Sequence, residues 1–134
     1  MKGQKDGVVF SIDFQNNFRE DVITVQIENI TVIDGKKISS DEYDENGEMI
    51  VNDGFTGVTI EGIQEQNKTK VLFEQREFSL DNDGDFDTIA LTIGINGQVN
   101  KLNVELAKGK YIGLAKEGTN KLRVLQSDYP FEYD

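Results

Sequence analysis

Four aspartates occupy alternate positions of one short segment, Asp81, Asp83, Asp85 and Asp87, and Gly84 lies among them. Calcium takes about six to eight oxygen ligands, and carboxylates on a tight loop can supply several of them. Aspartate is also common in exposed turns, because it tolerates the left-handed backbone conformation. The segment therefore predicts either a calcium-binding loop or a solvated turn between two strands. Four carboxylates this close in the sequence repel one another. A bound cation would offset this repulsion, whereas a turn without an ion has no use for so many acidic residues.

The position of the glycine distinguishes two ways of placing this segment on an EF-hand loop. A loop that begins at Asp81 puts Phe86 where the chain must reverse with positive φ, which suits a bulky residue poorly. A loop that begins at Ser79 puts Gly84 there instead. The second register is the better one, although it leaves a weak ligand at the first position and no glutamate at the last.

Residues 79–89 resemble the calcium loop of integrin-type FG-GAP repeats, in which an Asp-x-Asp-Gly-Asp-x-Asp run leads directly into an apolar strand. The resemblance implies that Asp81, Asp83 and Asp87 bind calcium through their side chains. It also implies that Asp85 contributes its backbone carbonyl. The motif occurs once, whereas a β-propeller needs several copies, so the resemblance does not extend to that family's fold.

A second acidic segment supplies candidate ligand-binding residues. No Lys or Arg occurs between Ile38 and Asn67, whereas eight acidic residues do. The first half of this stretch has the composition of a long loop with at most a short strand at 48–51. It predicts contact with a protein or carbohydrate ligand, and a protein partner would be basic or bridged by a cation. The candidate residues are Asp41, Glu42, Tyr43, Asp44 and Glu45. Tyr43 either contacts the ligand or packs the loop onto the domain.

The composition excludes several catalytic chemistries. The 134 residues contain neither Cys nor His, which removes Ser-His-Asp triads, Cys-His dyads and thiolate or imidazole metal sites. Two carboxylates suffice to hydrolyse a glycosidic bond, and the chain has 25 acidic residues. The main hypothesis is a non-catalytic binding module, and a carboxylate-dependent glycan-active enzyme is the alternative.

The net charge of −11 limits the partners of the chain. An acidic surface repels phosphate backbones and anionic membranes, so neither nucleic-acid binding nor membrane insertion is expected. An acidic inhibitor that mimics nucleic acid is a further alternative. The composition of residues 101–134 disfavours this alternative. This part contains five acidic and six basic residues, whereas a mimic of nucleic acid should carry negative charge along its whole length.

Hydrophobic residues recur with period two, which is typical of half-buried strands. Examples are the sets Phe10, Ile12 and Phe14, then Ile23, Val25 and Ile27, then Ile89, Leu91, Ile93 and Ile95. Asn96-Gly97 predicts a two-residue hairpin turn, and Asp34-Gly35 predicts another turn. A further hairpin is predicted around residues 117–120. The closing aromatics Tyr129, Phe131 and Tyr133 are expected to pack the last strand onto the domain, with contact to a ligand as the alternative.

These elements predict one all-β domain over residues 1–134, with about nine to eleven short strands and frequent turns. An antiparallel β-sandwich or jelly roll is expected, with a barrel as the alternative. The first residues lack the apolar region of a secretory signal, and no segment approaches the roughly 18 apolar residues of a membrane helix. A bacterial extracytoplasmic location would therefore require that a leader has been removed.

Thermal unfolding in calcium and in chelator distinguishes the two interpretations of residues 81–87. An ion that binds only the folded state raises the free energy of unfolding by about 2.7 kcal/mol at a hundredfold excess over Kd. A calcium loop therefore predicts a higher melting temperature in millimolar calcium than in chelator, with magnesium as the ionic-strength control. An unchanged melting temperature would identify the segment as a turn.

Overall fold

The computed structural model describes residues 7–43, 45–46, 48–52, 54–65, 68–80 and 87–132, with the backbone alone for 41–43 and 49–52. The described residues are predominantly β-structure, as the two-residue periodicity predicts. The strands are β1 (Val8–Phe14), β2 (Asp21–Ile27), β3 (Ile30–Ile38), β4 (Asp41–Tyr43), β5 (Met49–Asn52), β6 (Thr59–Glu65), β7 (Lys68–Phe73), β8 (Arg76–Leu80), β9 (Thr88–Ile95), β10 (Gln98–Glu105), β11 (Tyr111–Glu117) and β12 (Lys121–Ser127). One turn of 3₁₀-helix, Leu106–Lys108, follows β10.

Ten of these strands form two sheets. The larger sheet has the order β12-β11-β1-β6-β7-β8, the smaller sheet has the order β10-β9-β2-β3, and β4 pairs with β5. Both sheets contribute apolar side chains to one buried core, so the prediction of an all-β sandwich is confirmed, and the described strands do not close into the alternative barrel.

One pairing differs from the expected antiparallel arrangement, because β1 pairs in parallel with β11. Antiparallel neighbours such as β6 and β7 or β11 and β12 are consecutive in the chain and are joined by short turns. No such turn relates β1 to β11, because most of the chain lies between them. Their relative direction is therefore set by the long-range topology, which local patterns do not encode.

The core consists of the inward faces that the alternation predicts. Phe10, Ile12 and Phe14 of β1 are fully buried, as are Ile23, Val25 and Ile27 of β2. Phe18 extends this cluster beyond β1, with its ring 6.0 Å from that of Phe14 in an edge-to-face arrangement. Each fully buried aliphatic or aromatic side chain contributes about 1.5–3 kcal/mol. The outward faces of the same strands carry little of this energy and are available for function.

The two predicted hairpins are confirmed. Asn96 and Gly97 have φ values of 51° and 89° and join β9 to β10, with Ile95 paired to Gln98. Both central residues of a type I′ turn require positive φ, which asparagine and glycine tolerate best. The hairpin around residues 117–120 joins β11 to β12.

The predicted Asp34-Gly35 turn is wrong, because both residues lie within β3. Ile23 of β2 pairs with Lys36 and the next residue pairs with Asp34, so Gly35 is an extra residue without a partner in the ladder. Its φ of 76° is typical of a glycine at a β-bulge. The acidic segment is also not a simple loop. The short strand predicted there is observed as β5, and a further strand, β4, pairs with it.

A buried ion pair joins the two sheets at one end. The carboxylate of Asp21, at the start of β2, accepts hydrogen bonds from Lys116 Nζ of β11 at 2.9 and 3.0 Å. It also accepts a backbone N–H from Arg19 at 2.8 Å and the side-chain amide of Asn96 at 2.7 Å. Burial alone would raise the pKa of Asp21, but the hydrogen bonds and the charge of Lys116 outweigh it and lower the pKa below 3.8. The ionised carboxylate is therefore part of the folded structure.

We expect Asp21→Asn to destabilise the protein in a pH-dependent manner. The variant keeps the size of the side chain but leaves the Lys116 ammonium without its counter-charge, so the free energy of unfolding near pH 7 should fall by about 2–4 kcal/mol. Because the folded pKa is lowered, the stabilisation is present above the unfolded value of about 3.8 and is lost as the pH falls through the folded pKa.

Urea unfolding of both proteins near pH 7 and near pH 3 measures this difference. The exposed Asp34 provides the matched control, since Asp34→Asn removes the same charge from the surface. An equal loss of stability at both pH values would show that the Asp21 charge is not the cause.

Candidate functional site

A groove lies on the outer face of the larger sheet, across β6, β1 and β11, with a volume of about 470 Å³. This volume falls within the range of about 300–1,000 Å³ that is common for ligand pockets. Its floor includes Ser11 and Asp13, its sides include Glu61 and Tyr111, and residues 128–131 form one wall. We call this surface the carboxylate groove.

The alternation of β1 places Ser11 and Asp13 in the groove. Their neighbours Phe10, Ile12 and Phe14 face the core, so the residues between them face outward. Ser11 pairs with Glu61 on one side and with Tyr111 on the other. Neighbouring strands are about 4.8 Å apart, so these three positions form a line of roughly 10 Å across the sheet.

The hydroxyl of Ser11 is an unusual feature of this floor. Ser11 is only 8 % exposed, and it lines the groove. No hydrogen bond of its hydroxyl is found within the described part of the chain, although its backbone N–H donates to the carbonyl of Lys110 at 2.8 Å. A hydroxyl has one donor and can accept as well, so this group can bond to a molecule in the groove.

The sheet also orients the carboxylate of Asp13. Thr59 lies opposite it on β6 and donates a hydrogen bond from Oγ1 to Asp13 Oδ1 at 2.8 Å. Gly113 lies opposite it on β11, where a Cβ atom would approach the side chain of Gln15 to 2.4 Å. The missing side chain therefore makes room for the buried Gln15 beside Asp13.

Lys110 and Tyr111 lie on the β11 side of the groove. The Nζ atom of Lys110 lies 5.8 Å from the centroid of the Tyr111 ring, which is within the range of a cation–π interaction. No ion pair of Lys110 is found among the described residues. Among the described residues, three carboxylates, those of Asp13, Glu61 and Asp128, line the groove together with this ammonium.

The wall formed by residues 128–131 is anchored at the end of β12. Gln126 Nε2 donates hydrogen bonds to the carbonyls of Glu105 and Gly109 at 2.8 and 2.9 Å. Gly109 has a φ of 137°, and a Cβ atom there would lie 2.6 Å from the backbone nitrogen of Ser127. Ser127 Oγ in turn accepts the backbone N–H of Tyr129 at 3.0 Å. A close backbone contact that requires glycine therefore fixes the start of the wall.

The prediction that the closing aromatics pack the last strand is wrong for Tyr129. This side chain is 76 % exposed and lines the groove, and half-buried Phe131 lines it as well. Both residues follow β12 rather than continue it, because the strand ends at Ser127. Tyr133 lies outside the described residues.

Another concavity, of about 340 Å³, lies on the outer face of the smaller sheet. It is lined by Val22, Thr24, Gln26, Thr92, Gly94, Gly97 and Val99, none of which is charged. The carboxylate groove is the better candidate for a functional site, because it combines charged groups, aromatic rings and a hydroxyl.

The candidate calcium ligands are only partly covered by the structure. Asp81, Asp83 and Asp85 lie outside the described residues, so the calcium loop stays a prediction. Asp87 is exposed, and its carbonyl accepts the backbone N–H of Leu106 at 2.9 Å. Within the described part of the chain, no group of three or more Asp, Glu, His or Cys side chains is placed to hold a metal ion.

Of the candidate ligand-binding residues of the acidic segment, only Glu45 has a described side chain, and it is not among the described residues that line the carboxylate groove. Asp41, Glu42 and Tyr43 form β4, of which the backbone alone is described. Asp44 lies outside the described residues, and Glu45 is exposed. Their role in binding stays a prediction.

A comparison with protein-family models, with curated proteins and with solved structures finds no match to this chain. The described part of the chain contains no helix that is long and apolar enough to cross a membrane.

Proposed function

We propose that the protein is a non-catalytic β-sandwich binding module and that its ligand is a carbohydrate bound in the carboxylate groove. One observation supports this proposal above all others. Aromatic rings and hydrogen-bonding side chains line the same concave surface, with Tyr111 and Tyr129 beside Ser11, Asp13 and Glu61. Binding sites for small ligands commonly combine an apolar surface with a few polar groups that fix the orientation of the ligand.

Sugars match this combination chemically. The C–H face of a pyranose packs against an aromatic ring, and tyrosine offers both an apolar face and a polar hydroxyl. The sugar hydroxyls donate to carboxylates such as those of Asp13 and Glu61, while Lys110 and Ser11 supply donors for the sugar oxygens. Each class of group on the ligand therefore has a counterpart in the groove.

The rigidity of the floor also favours binding. Ser11 and Asp13 lie on β1, which is paired with β6 on one side and β11 on the other. Thr59 holds the Asp13 carboxylate, and the contact between Gly109 and Ser127 holds the wall. A site whose groups are already ordered loses less conformational entropy when the ligand binds.

We expect Tyr129→Ala to weaken carbohydrate binding without affecting stability. The side chain is 76 % exposed, so its removal leaves the core unchanged, but the ligand loses an aromatic surface. The loss should be about 1 kcal/mol or more, which is roughly a fivefold increase in Kd. A glycan array identifies the ligand, and calorimetric titration measures Kd for the wild type and the variant.

Leu125→Ala is the matched control, because Leu125 is 56 % exposed on β12 and does not line the groove. The control should bind as the wild type does. Equal affinities of all three proteins for every glycan that binds would place the binding site elsewhere.

A specific arrangement supports a glycan-active enzyme as the second candidate. Asp13 and Glu61 are diagonal neighbours on paired strands, because Glu61 pairs with Ser11 and Thr59 pairs with Asp13. Such positions are about 7–8 Å apart. This spacing is compatible with the carboxyl separations of about 5–9.5 Å that glycoside hydrolases use.

A hydrolysis screen with the glycans that bind separates the two functions. The binding module predicts no turnover by the wild type and intact glycans after prolonged incubation. Turnover that Glu61→Gln abolishes, while the exposed control Asp34→Asn retains it, would establish the enzyme instead.

A further inference from the structure

We propose that the free edge of β12 binds an extended acidic segment of a partner protein, which adds a strand to the larger sheet. This surface is separate from the carboxylate groove, because no residue of β12 lines the groove. The observation behind the proposal is an edge strand whose only charged residues are basic, in a chain of net charge −11. Exposed aliphatic side chains on the same strand complete the surface.

The backbone of β12 is available for pairing. β12 is the last strand of the larger sheet and, within the described part of the chain, pairs with β11 alone. Its seven residues, Lys121–Ser127, stay in strand conformation throughout. The backbone groups that point away from β11 have no partner strand among the described residues. Such a row of N–H and C=O groups is a template for another strand, and peptides that bind this way gain affinity from main-chain hydrogen bonds.

β12 also exposes two large apolar side chains. Val124 is 36 % exposed and Leu125 is 56 % exposed. Val124 lies opposite Leu114, which is buried in the core, whereas Leu125 lies opposite Gly113 on the other face. Residues directly opposite each other on paired strands lie on the same face. An added strand would therefore find an apolar contact on each face of the sheet.

The outer face of β12 carries its charge. Lys121, Arg123 and Leu125 alternate along the strand and therefore lie on one face. Lys121 and Arg123 are exposed, and no ion pair of either is found within the residues that the structure describes. Lys121 lies opposite Glu117 of β11, whereas Arg123 lies opposite Ala115 and has no cross-strand counter-charge. β12 contains no acidic residue, in contrast to β3, β8 and β10, the other strands at the ends of the two sheets.

An acidic segment supplies the counter-charge that β12 lacks. Residues opposite each other on neighbouring strands have Cβ atoms about 4.5–5.5 Å apart, so a carboxylate on the added strand would lie close to Arg123. The negative charge elsewhere on the chain acts over longer distances, which salt screens beyond about 8–10 Å. The main-chain hydrogen bonds would therefore supply affinity, and the basic side chains would select an acidic segment over a basic one.

A second copy of the chain suits this edge less well, because of the position of Arg123. An antiparallel pairing of two β12 strands centred on Val124 would make the two Arg123 side chains diagonal neighbours, about 7–8 Å apart. A pairing centred on Arg123 would place them directly opposite each other. Like charges in these positions are destabilising, and basic residues on edge strands commonly prevent self-pairing. A segment with carboxylates has no such conflict.

Calorimetric titration of the full chain with two synthetic peptides tests the inference. Both peptides match β12 in length. One alternates glutamate with valine, and the other has lysine in place of each glutamate. We expect the glutamate peptide to bind about tenfold more tightly, because cross-strand charge pairs are attractive in one complex and repulsive in the other. The preference should shrink as salt is added, because salt screens exposed charges.

Amide hydrogen exchange and one pair of variants locate the binding surface. In the complex with the glutamate peptide, the amides of β12 that point away from β11 should exchange more slowly. Arg123→Glu should abolish the preference for the glutamate peptide. Lys101→Glu is the matched control, because it reverses an exposed charge on β10, at the end of the other sheet, and should preserve the preference. Circular dichroism establishes that both variants are folded.

Each other outcome overturns the inference. Equal binding of the two peptides, or no binding of the glutamate peptide at millimolar concentration, would show that the edge does not select acidic segments. Binding without slower exchange in β12 would place the peptide on another surface. A molecular mass in light scattering that rises with protein concentration, together with slower exchange in β12, would assign the edge to a second copy of the chain.

Discussion

The ionised carboxylate of Asp21 ties the two sheets together at one end, above the apolar core that they share. It is almost fully buried at the start of β2, and its partner Lys116 comes from β11 in the opposite sheet. The side chain of Asn96 links the same carboxylate to the β9–β10 turn and also accepts the backbone N–H of Val22. Because one charge satisfies donors from three parts of the chain, the sheets meet in a defined register at this end.

The carboxylate groove follows from the alternation of side chains along the strands of the larger sheet. Phe10, Ile12 and Phe14 fill the core, so Ser11 and Asp13 on the same strand must face outward. Core packing on one face of β1 thus fixes the position of polar groups on the other. The proposed ligand would contact a floor that is held by the hydrophobic core rather than by mobile loops.

Local sequence patterns predict the parts of the fold that depend on neighbouring residues. The alternation of apolar residues predicts the strands. Asn96-Gly97 predicts the hairpin between β9 and β10, because both residues tolerate positive φ. The Asp34-Gly35 dipeptide carries the same signal, yet β3 continues through it, since pairing with β2 stabilises a bulge in place of a turn. The parallel pairing of β1 with β11 and the role of Asn96 beside Asp21 depend on contacts between distant segments. No local pattern contains them.

The sequence does not predict the groove for the same reason, although one face of β1 carries a signal for it. The polar residues between Phe10 and Phe14 mark an outward face, but nothing in the sequence shows that Glu61, Tyr111 and Tyr129 lie beside it. The uneven distribution of charge along the sequence is also found among the residues that line the groove. Residues 1–100, with a net charge of −12, contribute Asp13 and Glu61, whereas residues 101–134, with a net charge of +1, contribute Asp128, Lys110 and the aromatic rings. Both parts of the chain thus supply charged groups and only the second supplies the tyrosines, and the topology that places β1 between β6 and β11 brings them into one site.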